Sequence, residues 1–146
     1  MIILQTENFT IQSHEKPFVS REEGGHIVIR PILEVEDRTK LSPELAKELM
    51  KLTMVVGEAM KRGMQTRGIE LGRINYLELG NWTPILHIHV IGRAKTATKQ
   101  KFGEALSLPF RNTGFYDDFK PLDEEDITII KKQIERLLLT EKYHSF

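Results

Sequence analysis

The stretch whose reading decides the fold is Ile85-Leu86-His87-Ile88-His89-Val90-Ile91-Gly92-Arg93. Alternate residues of a β-strand share a face. Ile85, His87, His89 and Ile91 therefore point one way, and Leu86, Ile88 and Val90 the other. The second set is wholly apolar and predicts a strand face buried in a core. The first sets two imidazoles side by side, roughly 6.5–7 Å apart along the strand. An unperturbed imidazole titrates near about 6.5 and is mostly neutral at neutral pH. Neutral imidazole attacks phosphorus, and a charged neighbour steadies phosphate oxygens. It also binds metals, although no Asp or Glu in this stretch completes a metal set. A third reading is a pair of partly buried polar side chains without chemistry.

Upstream, Arg73-Ile74-Asn75-Tyr76-Leu77-Glu78-Leu79 alternates as a strand should. Gly80-Asn81-Trp82-Thr83-Pro84 is turn-rich, so the spacing predicts a hairpin between strands at 73–79 and 85–91. His26-Ile27-Val28-Ile29-Arg30 is β-branched and stops at Pro31, which cannot donate to a sheet ladder. Phe9 to Ser13 alternates weakly and predicts a first strand, with His14 to Pro17 and Ser20 to Gly25 as loops.

Ser42-Pro43-Glu44 opens a helix, with a hydroxyl N-cap, proline at the first position and an acid at the positive end. Leu45, Leu49, Leu52, Val56, Ala59 and Met60 form its apolar stripe, and it is expected to end near Gly68. Gly63 is expected to weaken its last turns. Met50, Met54 and Val55 lie off the stripe and suggest a surface for a partner helix. Residues 94–121 carry no clear period and read as a long irregular segment. Asp123 caps a final helix with Ile127, Ile130, Ile134, Leu137 and Leu138 on one face. The expected class is α+β, a small and mostly antiparallel sheet with helices against one face.

The bulk properties agree with one domain of 146 residues, 40% apolar and 29% charged. Balanced charge, 21 basic against 21 acidic residues, argues against a non-specific nucleic-acid or membrane-surface binder. It leaves room for a small phosphate-bearing ligand. The absence of cysteine excludes disulfides and thiolate zinc sites. No apolar run reaches the length of a membrane span or a signal peptide, so a cytoplasmic protein is expected.

The run His87-Ile88-His89-Val90-Ile91-Gly92-Arg93 resembles the end of the histidine triad (HIT) signature, His-φ-His-φ-His-φ-φ with φ apolar, followed by Gly or Pro and a basic residue. Gly25-His26-Ile27-Val28-Ile29-Arg30-Pro31 is similar to the family's first core strand. Val35-Glu36-Asp37 and Leu41-Ser42-Pro43-Glu44-Leu45 resemble its link into the long helix. Gly80-Asn81 lies where the family often has a phosphate-contacting turn. The likeness covers roughly residues 14–95 and leaves the last fifty without a specific match. It implies a single HIT-like domain over 1–146, with 94–146 an irregular segment plus C-terminal helix.

The Gly-Arg ending places His87 and His89 at the second and third triad positions and Ile85 at the first, so one triad histidine is missing. The resemblance implies that His87 is the nucleophile, that His89 contacts phosphate, and that His26 supports them. It implies substrate contacts from Asn75, from Asn81 and Thr83 in the turn, and, more loosely because of a longer loop, from His14. The alternatives are a sheet-edge Asn75, plain turn formers at 81 and 83, and a strand-start polar residue at 26. Trp82 is expected to lid the site or pack, and Arg93 to bind phosphate or end the strand in solvent. The implied activity is hydrolysis of nucleoside phosphates, phosphoramidates or diadenosine polyphosphates through a nucleotidyl-histidine, with no obligatory cofactor or metal. The implied partner is a second copy, paired through the long helix and sheet edge. Replacement of the first histidine leaves three alternatives: a nucleotide-binding module with weak or lost turnover, a nucleotidyl transferase, and a metal-dependent strand-histidine protein.

Overall fold

In the computed structural model, which describes residues 1–146, five strands form one antiparallel sheet in the order β1-β2-β3-β5-β4. The strands are β1 (Ile2–Gln5), β2 (Phe9–Ser13), β3 (His26–Pro31), β4 (Leu71–Leu77) and β5 (Ile88–Ala94). The helices are α1 (Pro43–Thr66), α2 (Glu124–Leu138) and the short α3 (Glu141–His144). The class is the expected α+β. Strand β1 was not anticipated; the apolar run Ile2-Ile3-Leu4 has no visible alternation, and pairing with β2 supplies its order.

Both strands of the hairpin shift by a few residues. β4 starts at Leu71, whose partner is Ala94, so β5 reaches beyond Gly92 and Arg93. At the other end Ile85 N–H bonds to Thr83 O and Leu86 N–H to Val35 O. These bonds hold the chain out of the ladder until Ile88. His87 therefore sits just before the strand and not within it, and the loop is longer than five residues. The face assignment survives. Leu86, Ile88 and Val90 are buried with Ile27, Ile29 and the inner faces of α1 and α2. His89 and Ile91 turn to the opposite face, where Ile91 packs with Phe18, Val19, Tyr116 and Phe119.

Helix α1 begins where Ser42 Oγ accepts from Leu45 N–H, and its stripe is wider than its spacing suggested. Val55 is fully buried, which removes it from any partner surface; Met50 remains 54% exposed. Gly63 serves packing. A Cβ there would lie 2.9 Å from Ile130 Cγ1, so the glycine lets α2 approach. Asp123 and Asp126 form a reciprocal capping box at the start of α2. Asp126, wholly buried, also pairs with Arg21 at 2.6 Å and Arg67 at 3.0 Å. No helix is long and apolar enough to cross a membrane.

The glycine before Arg93 has a steric cause. Gly92 and Gly24 cross backbone to backbone, and Gly92 N–H bonds to Gly25 O at 3.0 Å. A Cβ on Gly92 would stand 2.3 Å from Gly24 O. Neither backbone can yield without moving the β3–β5 pair. Gly92→Ala is expected to destabilise the fold by about 1–3 kcal/mol, read as a lowered urea midpoint with unchanged m-value. A midpoint equal to wild type would show that the crossing tolerates a side chain.

Candidate active site

Four imidazoles meet on the sheet face opposite the helices. His26 begins β3, His89 lies on β5 beside it, His14 follows β2, and His87 precedes β5. His26 and His89 are buried, at 1% and 5% exposure. Ring centres lie 5.0 Å apart for His26–His89, 4.6 Å for His14–His26 and 4.7 Å for His87–His89. A cavity of about 370 Å³ opens above them. Its walls include His14, Asn81, Thr83, His87 and His89, all of them sequence candidates.

Fixed backbone groups dictate where the protons sit. Phe18 N–H donates to His26 Nδ1 at 3.1 Å. A neutral His26 then carries its proton on Nε2, 2.8 Å from His89 Nδ1. His26 donates, His89 Nδ1 accepts, and the proton of neutral His89 is left on Nε2. His87 is set the opposite way. Its Nδ1 lies 2.6 Å from Ile85 O, a carbonyl that can only accept. In neutral His87 the proton is on Nδ1, and Nε2 carries a free lone pair. Two neighbouring rings thus offer complementary groups, a nucleophilic nitrogen on His87 and a hydrogen-bond donor on His89. His14 Nδ1 accepts from Lys16 N–H, so its outer nitrogen is also a donor when neutral.

Burial keeps His14, His26 and His89 uncharged. It is the largest cause lowering His89 to about 3 and His14 to about 4, and it holds His26 well below its ordinary value. The neighbouring imidazoles and Arg111 add to the effect for all three.

Asn75 is not brought into this cavity. It lies on β4 in a separate cleft of about 750 Å³ that contains no histidine, and its Oδ1 accepts from Arg93 at 2.8 Å. Arg93 corrects both expectations made for it. It is buried, and its guanidinium also donates to the backbone carbonyls of Gln100, Lys101 and Glu104. It fastens the segment after β5 and reaches neither solvent nor the histidines. Ile85 lies beside a small cleft with Gln12, Val28, Arg30 and His87. Trp82 is half exposed at the cavity wall and stacks on Phe110 at 6.0 Å.

Sequence reasoning missed Phe18, Leu108 and Arg111, which complete the wall. The last two belong to the segment read as irregular, whose only regular element is a 3-10 turn at Arg111–Thr113. No local spacing links them to the strand histidines. Their placement depends on long-range ties, among them Gln100 Nε2 donating to Phe18 O and Ser107 O. No group of three or more His, Asp or Glu side chains is arranged to hold a metal ion.

A model of the HIT domain matches residues 1–96. Several solved structures share the fold. A hypothetical histidine triad nucleotide-binding protein of Sulfolobus tokodaii strain 7 is 18% identical with a TM-score of 0.62, over 94% of this chain and 85% of that one. A histidine triad protein of Sinorhizobium meliloti 1021 is 20% identical with a TM-score of 0.62, over 93% and 87%. A zinc-bound histidine triad family protein of Mycobacterium smegmatis is 20% identical with a TM-score of 0.56, over 93% and 84%.

The depressed histidines make stability depend on pH. The unfolded chain binds protons near the ordinary imidazole value of 6.5, whereas folded His89 and His14 bind them only at about 3 and about 4. Between those limits the unfolded state holds more protons, so stability falls as pH falls. Cooling of the melting temperature is expected from pH 7 to pH 5, with His89 alone costing on the order of 2 kcal/mol at the lower pH. His89→Asn should flatten that slope. A melting temperature constant over this interval, measured by calorimetry, would contradict neutral burial of the cluster.

Proposed function

Because the chain belongs to the histidine triad family, we propose that it is a nucleotide phosphohydrolase acting through a nucleotidyl-histidine on His87. The observation that carries this reading is the pair of hydrogen bonds that set His87 and His89 in opposed tautomers, Nδ1 of His87 on Ile85 O and Nδ1 of His89 on His26 Nε2, with 4.7 Å between the two ring centres. His87 Nε2 attacks the α-phosphorus of a nucleoside phosphate. An N–P bond forms, the bond to the leaving group breaks, and the departing atom takes its electron pair. Water then attacks phosphorus, the N–P bond breaks, and His87 regains its lone pair. A nucleoside monophosphate leaves and one proton passes to solvent.

Phosphoryl transfer needs mainly positioning and charge stabilisation. His89 Nε2–H serves an equatorial oxygen of the reacting phosphate, and His26 fixes the tautomer that makes it a donor. Asn81, Thr83 and the outer nitrogen of His14 line the same cavity and contact the nucleotide. Asn75 acts at one remove, by holding Arg93. No metal or other cofactor enters these steps.

One feature favours a second reading. Ile85 is apolar where the family signature has its first histidine, so a binding module with slow turnover, or transfer to an acceptor other than water, is the alternative. Inorganic phosphate supplied as acceptor would divert the product to a nucleoside diphosphate in the transfer case. We also propose a homodimer through α1 and the β4 edge, where Met50 and Tyr76 are 54% and 49% exposed.

With a diadenosine polyphosphate or adenosine phosphoramidate, intact mass after acid-free quenching is expected to show one nucleotidyl adduct, mapping to His87. His87→Ala should form none and lose turnover by a factor on the order of 10⁴ or more. His89→Asn should keep the adduct but slow its formation about 10²–10³-fold. Wild-type turnover by His87→Ala would sink the mechanism.

A further inference from the structure

Arg111 is a cation without an anion. It lines the cavity with His87 and His89. Its guanidinium carbon lies 4.6 Å from the ring centres of both Phe18 and Tyr116. Those two ring contacts are its only holds: no carboxylate comes within ion-pair distance, and none of its N–H groups donates to a protein acceptor. Arg21 and Arg67 differ, since both are paired with Asp126, and Arg93 is spent on Asn75 and backbone carbonyls. Ring contacts of this kind use no oxygen or nitrogen acceptor and leave the guanidinium N–H groups available to a ligand. Nothing in the cavity wall answers the charge, because the wall contains no Asp or Glu.

The perch is built. Tyr116 OH donates to Pro109 O at 2.8 Å, just before the turn that carries Arg111. Gln100 bridges Phe18 O to Ser107, and Arg93 grips the carbonyls of Gln100, Lys101 and Glu104. The two rings are themselves in contact, 5.6 Å between centres, and form one aromatic ledge under the cation; one comes from the loop before β3 and the other from the segment after β5.

The wall also lacks an acid. Ile85 offers no proton, and His14, His26 and His89 are held neutral by burial. His89 Nε2–H already serves the reacting phosphate. Arginine stays protonated and does not act as an acid. An amine or alkoxide departing from phosphorus needs a proton, which no side chain of the wall supplies and which solvent must bring, so its release is slower. A phosphate departing from an anhydride needs only stabilisation of the charge it takes with it, which guanidinium supplies through paired N–H donors.

We propose that Arg111 binds the anionic group that leaves from the reacting phosphate, making the site selective for nucleoside phosphoanhydrides over nucleotides with an uncharged leaving group. This rests on His87 as the nucleophile. When His87 Nε2 bonds to the α-phosphorus, the bond from phosphorus to the bridging oxygen breaks. The pair stays on that oxygen as phosphate or nucleoside phosphate anion, beside Arg111.

The test is a pair of substrates and a pair of ligands. For diadenosine triphosphate, Arg111→Met, which keeps an unbranched stem against the two rings, should lower kcat/KM about 10²-fold. For adenosine phosphoramidate the loss should stay within about threefold, and Arg111→Lys should restore part of the anhydride activity. Equal losses on both substrates would mean that Arg111 serves the reacting phosphate or only holds the wall. The preference would be reassigned if Arg30→Ala, beside Ile85, removed it instead. Calorimetric binding separates this inference from the catalytic reading. Wild type should bind ADP about tenfold tighter than AMP, and Arg111→Met should bind them equally. Equal binding of ADP and AMP by wild type overturns the inference whatever the turnover. Absence of a His87 adduct with the ADP preference intact would overturn only the hydrolase reading.

Discussion

Phe18 is the residue on which the site depends. Its backbone N–H is a donor that no change of pH removes, and it fixes Nδ1 of His26 as an acceptor. From that one bond the proton positions of His26 and His89 follow in sequence. Its carbonyl accepts from Gln100, tying the segment after β5 to the loop before β3. Its ring lies under Arg111 and within 5.3 Å of His89. Backbone and side chain of one loop residue therefore set the state of the buried imidazoles and the place of the unpaired cation.

Much of this fold was legible because its signals are local and periodic. The alternation around His87 and His89, the cap at Ser42 and the stop at Pro31 each depend on a few neighbouring residues. The strand ends were less legible. They are decided by partners distant in sequence, Leu71 for Ala94 and Val35 for Leu86. Strand β1 shows the same limit, since Ile2-Ile3-Leu4 alone does not distinguish a strand from any short apolar run.

The site divides along the same line. His87, His89 and His26 could be grouped from strand register and family pattern, and the turn residues from their nearness to β5. Arg93 misled because a basic residue at a strand end usually reaches water, whereas here backbone carbonyls from the following loop surround it. Phe18 and Arg111 left no trace in spacing. They meet only after the segment beyond β5 folds back across the sheet, a long-range event that periodicity cannot encode.

The fastening of that segment has a consequence for divergence. Glu23 accepts three backbone N–H groups, from Thr98, Lys99 and Gln100, beside the glycine crossing of β3 and β5. The residues that follow, up to Tyr116, are thereby mounted on the rim as an appendage and add little to the main core. His26 and His89 are buried in the sheet, where an exchange disturbs packing, and His87 is held at the threshold of β5 by Ile85 O. The wall that faces the departing group is free of that burden. Substitutions on the rim can therefore shift ligand preference while leaving the main core and the buried imidazoles as they are.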